Sequence, residues 1–205
     1  MRDTSVAVPV SYFFDYICPF CYIGSVRLLR VGERFPLRIR WRFLEIHPDN
    51  PAEGRPLSEL GYSPAQWARM QANIDLMVVE DDIPLSPRSF TTNSRRALLL
   101  AQTVLDRRPE RFPALHQAIF EAYFVDGRNI GAPEVLTELA QQHGVDDLIA
   151  AAWGGPEFLS RLLQHVEAAQ ALQLSGVPAL QVSGRVFSGA VSIQTLEQAL
   201  ERTSG

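Results

Sequence analysis

The chain has 205 residues, 46% of them hydrophobic and 20% charged, with a net charge of −4 at pH 7, a composition that predicts a soluble globular protein with a sizeable core. No apolar run approaches the roughly 18 residues that suggest a membrane span, and the acidic balance offers nucleic acid no overall attraction. All nineteen basic residues are arginine, so a Schiff-base lysine, a pyridoxal phosphate anchor and a Walker A lysine are excluded by composition.

From the start, Met1-Arg2-Asp3-Thr4-Ser5-Val6 lacks the charged beginning, apolar region and small-residue cleavage site of a secretory signal, and a cytoplasmic location is expected. Val6 to Phe14 is apolar and aromatic, the pattern of a buried strand in a parallel or mixed sheet, with Pro9 weakening the pairing near its start. The chain's two cysteines follow in Tyr16-Ile17-Cys18-Pro19-Phe20-Cys21-Tyr22-Ile23-Gly24. Pro19 to Phe35 sets Val26, Leu28 and Leu29 against Arg27, Arg30, Glu33 and Arg34, a stripe at helical spacing. Leu37 to Phe43 alternates strictly, with Arg38, Arg40 and Arg42 on a face expected to meet solvent. These three elements make a strand-helix-strand unit, whose right-handed crossover sets the strands parallel.

Pro48, Pro51, Gly54 and Pro56 mark a loop, after which Leu57 to Leu174 reads as helical almost throughout. Helices are predicted near Pro64 to Val79, Ser94 to Leu105, Pro113 to Phe124, Pro133 to His143, Val145 to Ala152 and Pro156 to Leu174, several with proline in the first turn. Asn93-Ser94 is read as a helix cap, His116, His143 and His165 as surface or satisfied helix positions, and Tyr22, Tyr123 and Phe124 as core aromatics. Ala179 to Val182 and Arg185 to Phe187 form a hairpin with Ser183-Gly184 at its tip, and Ser192 caps a last helix. The fold class is therefore α/β: a thioredoxin-like fold, strand-helix-strand then strand-strand-helix, with a large inserted all-helical domain. The expected boundaries are 1–56 with 175–205 for the thioredoxin-like domain and 57–174 for the insertion.

A C-x-x-C at a strand-to-helix junction is a redox motif. In the first turn of a helix, the Cys18 sulfur would lie beside unpaired backbone N–H groups and the positive end of the helix dipole, a setting that favours negative charge. A Cys18 thiolate would attack a disulfide, and Cys21 on the same helical face would displace the partner. A zinc site needs more ligands, and with no second C-x-x-C and only four scattered histidines no metal is expected. A structural disulfide closing so short a loop would stabilise little, since the gain grows with loop length.

These residues resemble the thioredoxin-fold family that includes DsbA, and more closely its FrnE-type cytoplasmic branch. The resemblance is carried by Asp15 to Gly24, by Trp41-Arg42-Phe43-Leu44-Glu45-Ile46-His47-Pro48-Asp49 with Gly54, by Phe120 to Phe124 with Gly127-Arg128-Asn129-Ile130, and by Gly176-Val177-Pro178 with Ser188-Gly189-Ala190. It implies a thiol-disulfide oxidoreductase or disulfide isomerase with Cys18 and Cys21 catalytic, no bound cofactor beyond the redox-active disulfide, and glutathione as a conceivable co-substrate. Its partners would be thiol or disulfide proteins or small thiols, with neither nucleic acid nor membrane involved. It also implies a cis Pro178 opposite the cysteines, with Val177 offering backbone groups to an extended substrate and Phe20 beside it. Tyr12 stands where thioredoxin and DsbA place a buried acid, which leaves Asp15 and His47 as candidates for proton transfer. Because Pro19-Phe20 replaces the proline-histidine pair of DsbA, no histidine donates to Cys18 from within the motif, and a milder oxidant is expected. Two other readings compete: a glutathione-dependent isomerase or transferase resembling 2-hydroxychromene-2-carboxylate isomerase and kappa-class glutathione transferase, which typically carry serine in place of Cys18, and a noncatalytic peptide-binding chaperone.

Overall fold

The computed structural model describes residues 7–202. Residues Met1–Val6, on which the reading of the N-terminus rests, lie outside the described residues. In chain order the elements are β1 (Val8–Phe14), α1 (Pro19–Gly32), β2 (Leu37–Phe43), β3 (Arg55–Pro56), α2 (Pro64–Glu80), β4 (Phe90–Thr91), α3 (Arg95–Arg107), α4 (Phe112–Phe124), α5 (Pro133–Gln142), α6 (Ile149–Gly154), α7 (Pro156–Ala171), β5 (Ala179–Val182), β6 (Arg185–Ser188) and α8 (Ile193–Glu201). The main sheet has four strands in the order β2-β1-β5-β6. β1 and β2 are parallel, Val8 beside Leu37 and Phe14 beside Phe43, while β5 runs antiparallel to β1 and to β6. This is the thioredoxin-like arrangement, with helices α2 to α7 inserted between β2 and β5.

β1 is apolar without alternation because both of its faces are covered. Val10, Tyr12 and Phe14 join the principal core, whereas Phe13 points the other way into a second cluster with Ala169 of α7 and Ala179. The arginine face of β2 is therefore only partly solvated. Arg38 and Arg40 are exposed, but Arg42 is half covered where α7 packs, 3.4 Å from His165 Nδ1. Burial, with the charges of Arg42 and Arg161 adding to it, holds the His165 imidazole down at about 4.

Several element ends differ from the sequence expectation for local reasons. α1 stops at Gly32, because Phe35 precedes Pro36 and is steered away from helical backbone; the amides of Arg34 and Phe35 both close on the Val31 carbonyl. α7 ends at Ala171, with Gln173 in the left-handed region at φ 53° and Leu174 N–H turned back onto the Ala169 carbonyl. The segment after Val145 is a short 3₁₀ turn over Asp146–Leu148 leading into α6. α2, by contrast, starts at Pro64 as the sequence predicts, under a reciprocal cap between Ser63 and Gln66. Two-residue strands β3 and β4 pair antiparallel at the base of the insertion. Gly54 turns the chain into β3 at φ 89°, where a Cβ would stand 3.0 Å from the Thr91 carbonyl oxygen.

α1 carries a buried cation that its amphipathic pattern placed on the solvent side. Arg27, 2% exposed, donates to Asp81 Oδ2 at 2.6 Å and to the Ala190 carbonyl at 2.7 Å. It ties α1 both to the end of α2 and to the turn before α8, so the arginine works as an internal strut.

Candidate functional site

The cysteine pair sits where β1 hands over to α1. Cys18 is the N-cap of α1 in extended conformation, Pro19 opens the first turn, and the Cys18 carbonyl accepts from the amides of Cys21 at 3.0 Å and Tyr22 at 3.2 Å. The Cys18 amide in turn donates to the Asp15 carbonyl, which fixes the chain entering the motif. Both cysteines are free thiols; Cys18 is 7% exposed and Cys21 wholly buried. The helix thus holds one sulfur at its mouth and the other one turn inside.

The loop before β5 comes up against the first of these sulfurs. The Cys18 thiol points at the Val177 carbonyl at 3.8 Å, across 159 residues of sequence. The Val177–Pro178 peptide is cis, as the resemblance implies, and Pro178 is buried. Having no N–H, Pro178 sets an apolar surface there while the carbonyl of Val177 meets the sulfur.

Behind Cys21 the surroundings are dry. Burial, and then the neighbouring Cys18, push the Cys21 thiol well above its ordinary value. Asp15, also wholly buried, is the ionisable acid that acts on it: a backbone hydrogen bond from Asp15 lowers the thiol and the carboxylate's charge raises it. Burial pushes the Asp15 carboxyl up to about 7, against the pull of hydrogen bonds accepted from Ile46 N–H at 2.8 Å and Ile17 N–H at 3.3 Å. The bond from Ile46 fastens the motif to the chain leaving β2, and the bond from Ile17 closes the turn within it. His47 lines the cavity beside Cys18, its imidazole held low by burial and by Arg55, and among the described residues no hydrogen bond joins its ring to either cysteine. Of the two proton-transfer candidates, Asp15 is within electrostatic range of Cys21, and His47 lines the cavity wall.

Tyr12 has a positioning role. Its hydroxyl donates to the Cys21 carbonyl at 2.8 Å, and burial raises it well above the ordinary phenol value, so it stays neutral. The close fit requires Gly24: a Cβ there would lie 2.5 Å from the Tyr12 oxygen and 3.6 Å from Pro178 Cγ.

Cys18 opens onto a cavity of about 800 Å³, lined on one side by Ile17, Cys18, Pro19 and Phe20 and on another by Trp67, Met70, Ile74 and Val78 of α2. Val177, whose carbonyl meets the sulfur, and Arg88 also line it. Arg88 lies in the loop between α2 and β4 with its guanidinium over the rings of Tyr123 at 4.6 Å and Phe124 at 4.3 Å. Neither the α2 wall nor Arg88 was singled out from sequence. α2 is amphipathic for an ordinary core, and the loop around Arg88 has no periodicity that would aim its side chain.

Comparison with known proteins places this geometry. The family model described as DSBA-like thioredoxin domain matches residues 9–201. A probable DsbA oxidoreductase of Streptomyces coelicolor superposes with TM-score 0.82 at 23% identity, over 95% of this chain and 89% of that one. A 2-hydroxychromene-2-carboxylate isomerase superposes with TM-score 0.78 at 18% identity, over 95% of both chains. The cytosolic disulfide reductase DsbM of Pseudomonas aeruginosa superposes with TM-score 0.66 at 18% identity, over 88% of both. At these identities the likeness to the solved structures is one of fold.

Proposed function

The chain belongs to the DSBA-like thioredoxin domain family, and on that premise we propose that it is a cytoplasmic thiol-disulfide oxidoreductase working through Cys18 and Cys21. The observation that carries the reading is the pairing of a cavity-facing Cys18 at the start of α1 with a buried Cys21 one turn behind it. A Cys18 thiolate attacks one sulfur of a substrate disulfide; the S–S bond breaks, its other sulfur leaves as a thiolate, and a mixed disulfide forms on Cys18. Cys21 then attacks the Cys18 sulfur, the second substrate thiolate departs, and the pair is left as a disulfide, two electrons having passed to the substrate. The same steps in reverse oxidise a dithiol. Isomerase activity is the case in which the released substrate thiolate attacks elsewhere on the same molecule.

The proton on Cys21 must go before it can attack, and Asp15 is the proposed acceptor. A carboxyl held at about 7 is half ionised near neutral pH, where a base of matched affinity works best. An extended substrate segment would pair with the backbone of Val177 next to Cys18, with Phe20 as apolar neighbour. Residues 57–174 are proposed as the inserted unit that walls the cavity, and 1–56 with 175–205 as the thioredoxin-like unit. The cytoplasmic placement draws on the FrnE-type resemblance and on the likeness to a cytosolic reductase. Glutathione fits the same scheme as co-substrate thiol.

Replacing Cys18 with serine separates this from its rivals. Loss of insulin-disulfide reduction and of disulfide refolding is expected. Retained glutathione-linked isomerisation would favour a 2-hydroxychromene-2-carboxylate isomerase-like enzyme, and retained holdase action with no redox change a noncatalytic chaperone.

A further inference from the structure

We propose that Arg88 makes the cavity beside Cys18 a receptor for carboxylate, so that the preferred oxidants of the dithiol are small disulfides carrying a carboxylate on an apolar body. This rests on the oxidoreductase reading and names its substrate class.

A buried guanidinium needs a counter-charge or a full set of acceptors. Arg88 has neither. Its Nη1 is buried without a hydrogen-bond partner, and among the described residues no carboxylate forms an ion pair with it. Asp75 of α2 lines the same cavity but is bonded to Gln71 instead. The guanidinium face is taken up by the Tyr123 and Phe124 rings, which leaves its edge as the donor side. A planar carboxylate is the acceptor that matches two N–H groups of such an edge. Burial holds the Arg88 guanidinium below its ordinary value, against the pull of Tyr123 and, more weakly, of Cys18, which is within electrostatic range.

The rest of the cavity selects an apolar body. Leu57, Leu60, Trp67, Met70, Ile74 and Val78 line it, and about 800 Å³ lies within the range of small-molecule sites. With α2 as a wall, the reacting disulfide has to fit beside Cys18 together with its carboxylate. The exchange balances as above: the carboxylate-bearing half stays on Cys18 as a mixed disulfide, the other half leaves as thiolate, and Cys21 releases the first half while the Cys18–Cys21 disulfide forms.

The test uses the full-length reduced protein in single turnover with two chromogenic disulfides, the dicarboxylate 5,5′-dithiobis(2-nitrobenzoate) and the uncharged 4,4′-dithiodipyridine. Arg88→Gln should raise the half-saturation concentration for the dicarboxylate about tenfold to a hundredfold relative to that for the neutral disulfide, and Arg88→Lys should restore part of the difference. An unaltered ratio overturns the carboxylate site. A wild-type measurement needs no variant: 4-nitrobenzoate should protect Cys18 from alkylation by iodoacetamide, and 4-nitrobenzamide should not; equal protection, or none, overturns the proposal. Faster reduction of insulin than of either small disulfide would overturn the substrate class. Failure of wild-type protein to reduce any of these disulfides overturns the oxidoreductase reading itself, whereas reduction with no dependence on Arg88 overturns only the carboxylate receptor.

Discussion

Asp15 and His116 are both wholly buried polar groups in one molecule, and their surroundings divide them. His116, on α4, has a partner on each ring nitrogen, Tyr16 Oη on Nδ1 and Ser25 Oγ on Nε2, both at 2.8 Å, and it lies among the rings of Phe14, Trp41, Phe112 and Phe120. Burial holds its imidazole at about 3, so it is neutral wherever the protein works. Asp15 has its carboxylate bound by two backbone amides, is raised to about 7, and lies within electrostatic range of the buried Cys21 thiol. Burial and hydrogen bonding are common to both. What separates a prop from a candidate proton acceptor is a charge state that changes near neutral pH, next to a group that must react.

The largest expected effect tests the prop. His116→Ala removes a buried ring and strands two hydroxyls, and should cost about 4 kcal/mol in denaturant unfolding. It should leave the pH profile of disulfide exchange where it was, measured on the folded fraction. A moved profile would erase the distinction between the two regions. The imidazole lies below its unfolded value of 6.5, so the unfolded chain takes up the proton first, and its contribution to stability is lost as pH falls from about 6.5 towards 3.

Asp15→Asn tests the other side. The folded carboxyl lies above its unfolded value of 3.8, so the folded protein keeps a proton that the unfolded chain has released, and stability declines as pH climbs from about 4 to about 7. Removing the charge should stabilise the protein at pH 8 by on the order of 4 kcal/mol at most, and hardly at all at pH 4. Closure of the mixed disulfide by Cys21 should slow, and its rise through pH 7 should flatten. Stabilisation without a kinetic change would reduce Asp15 to a second prop.

Smaller effects sharpen the boundary between the regions. Gly24→Ala puts a methyl group 2.5 Å from the Tyr12 oxygen and should cost about 2 kcal/mol in thermal or denaturant unfolding. Tyr12→Phe alone should cost about 1 kcal/mol, the bond to the Cys21 carbonyl, and should recover part of the loss when combined with Gly24→Ala. Simple additivity of the two would contradict the contact.

Much of this was legible in the sequence. The unbroken apolar run of β1, the alternation of β2, the C-x-x-C and the late Val177-Pro178 each have a local cause, and together they specify the sheet order around the cysteines. The bracing and the cavity wall were not. β3 and β4 are two residues each, too short for any period to register. Arg27 reads as part of a charged helix face until α8 and the end of α2 arrive from far along the chain to bury it. His116 is inside because α4 is covered on several sides, as its buried Phe112, Leu115, Ile119 and Phe120 record. Arg88 sits in a loop, where the aim of a side chain depends on the helices around it. Asp15 could be nominated from its distance to Cys18, but its partners Ile17 and Ile46 come from two separate turns.

The central claim is that Cys18 attacks and Cys21 resolves. Cys21→Ser protein, reduced and then challenged with disulfide, should accumulate a stable adduct on Cys18 by intact mass spectrometry. Wild type should pass through that adduct to the closed Cys18–Cys21 disulfide, and Cys18→Ser protein should stay unmodified. Absence of an adduct on the Cys21→Ser protein, or equally fast modification of Cys21 in the Cys18→Ser protein, would contradict it.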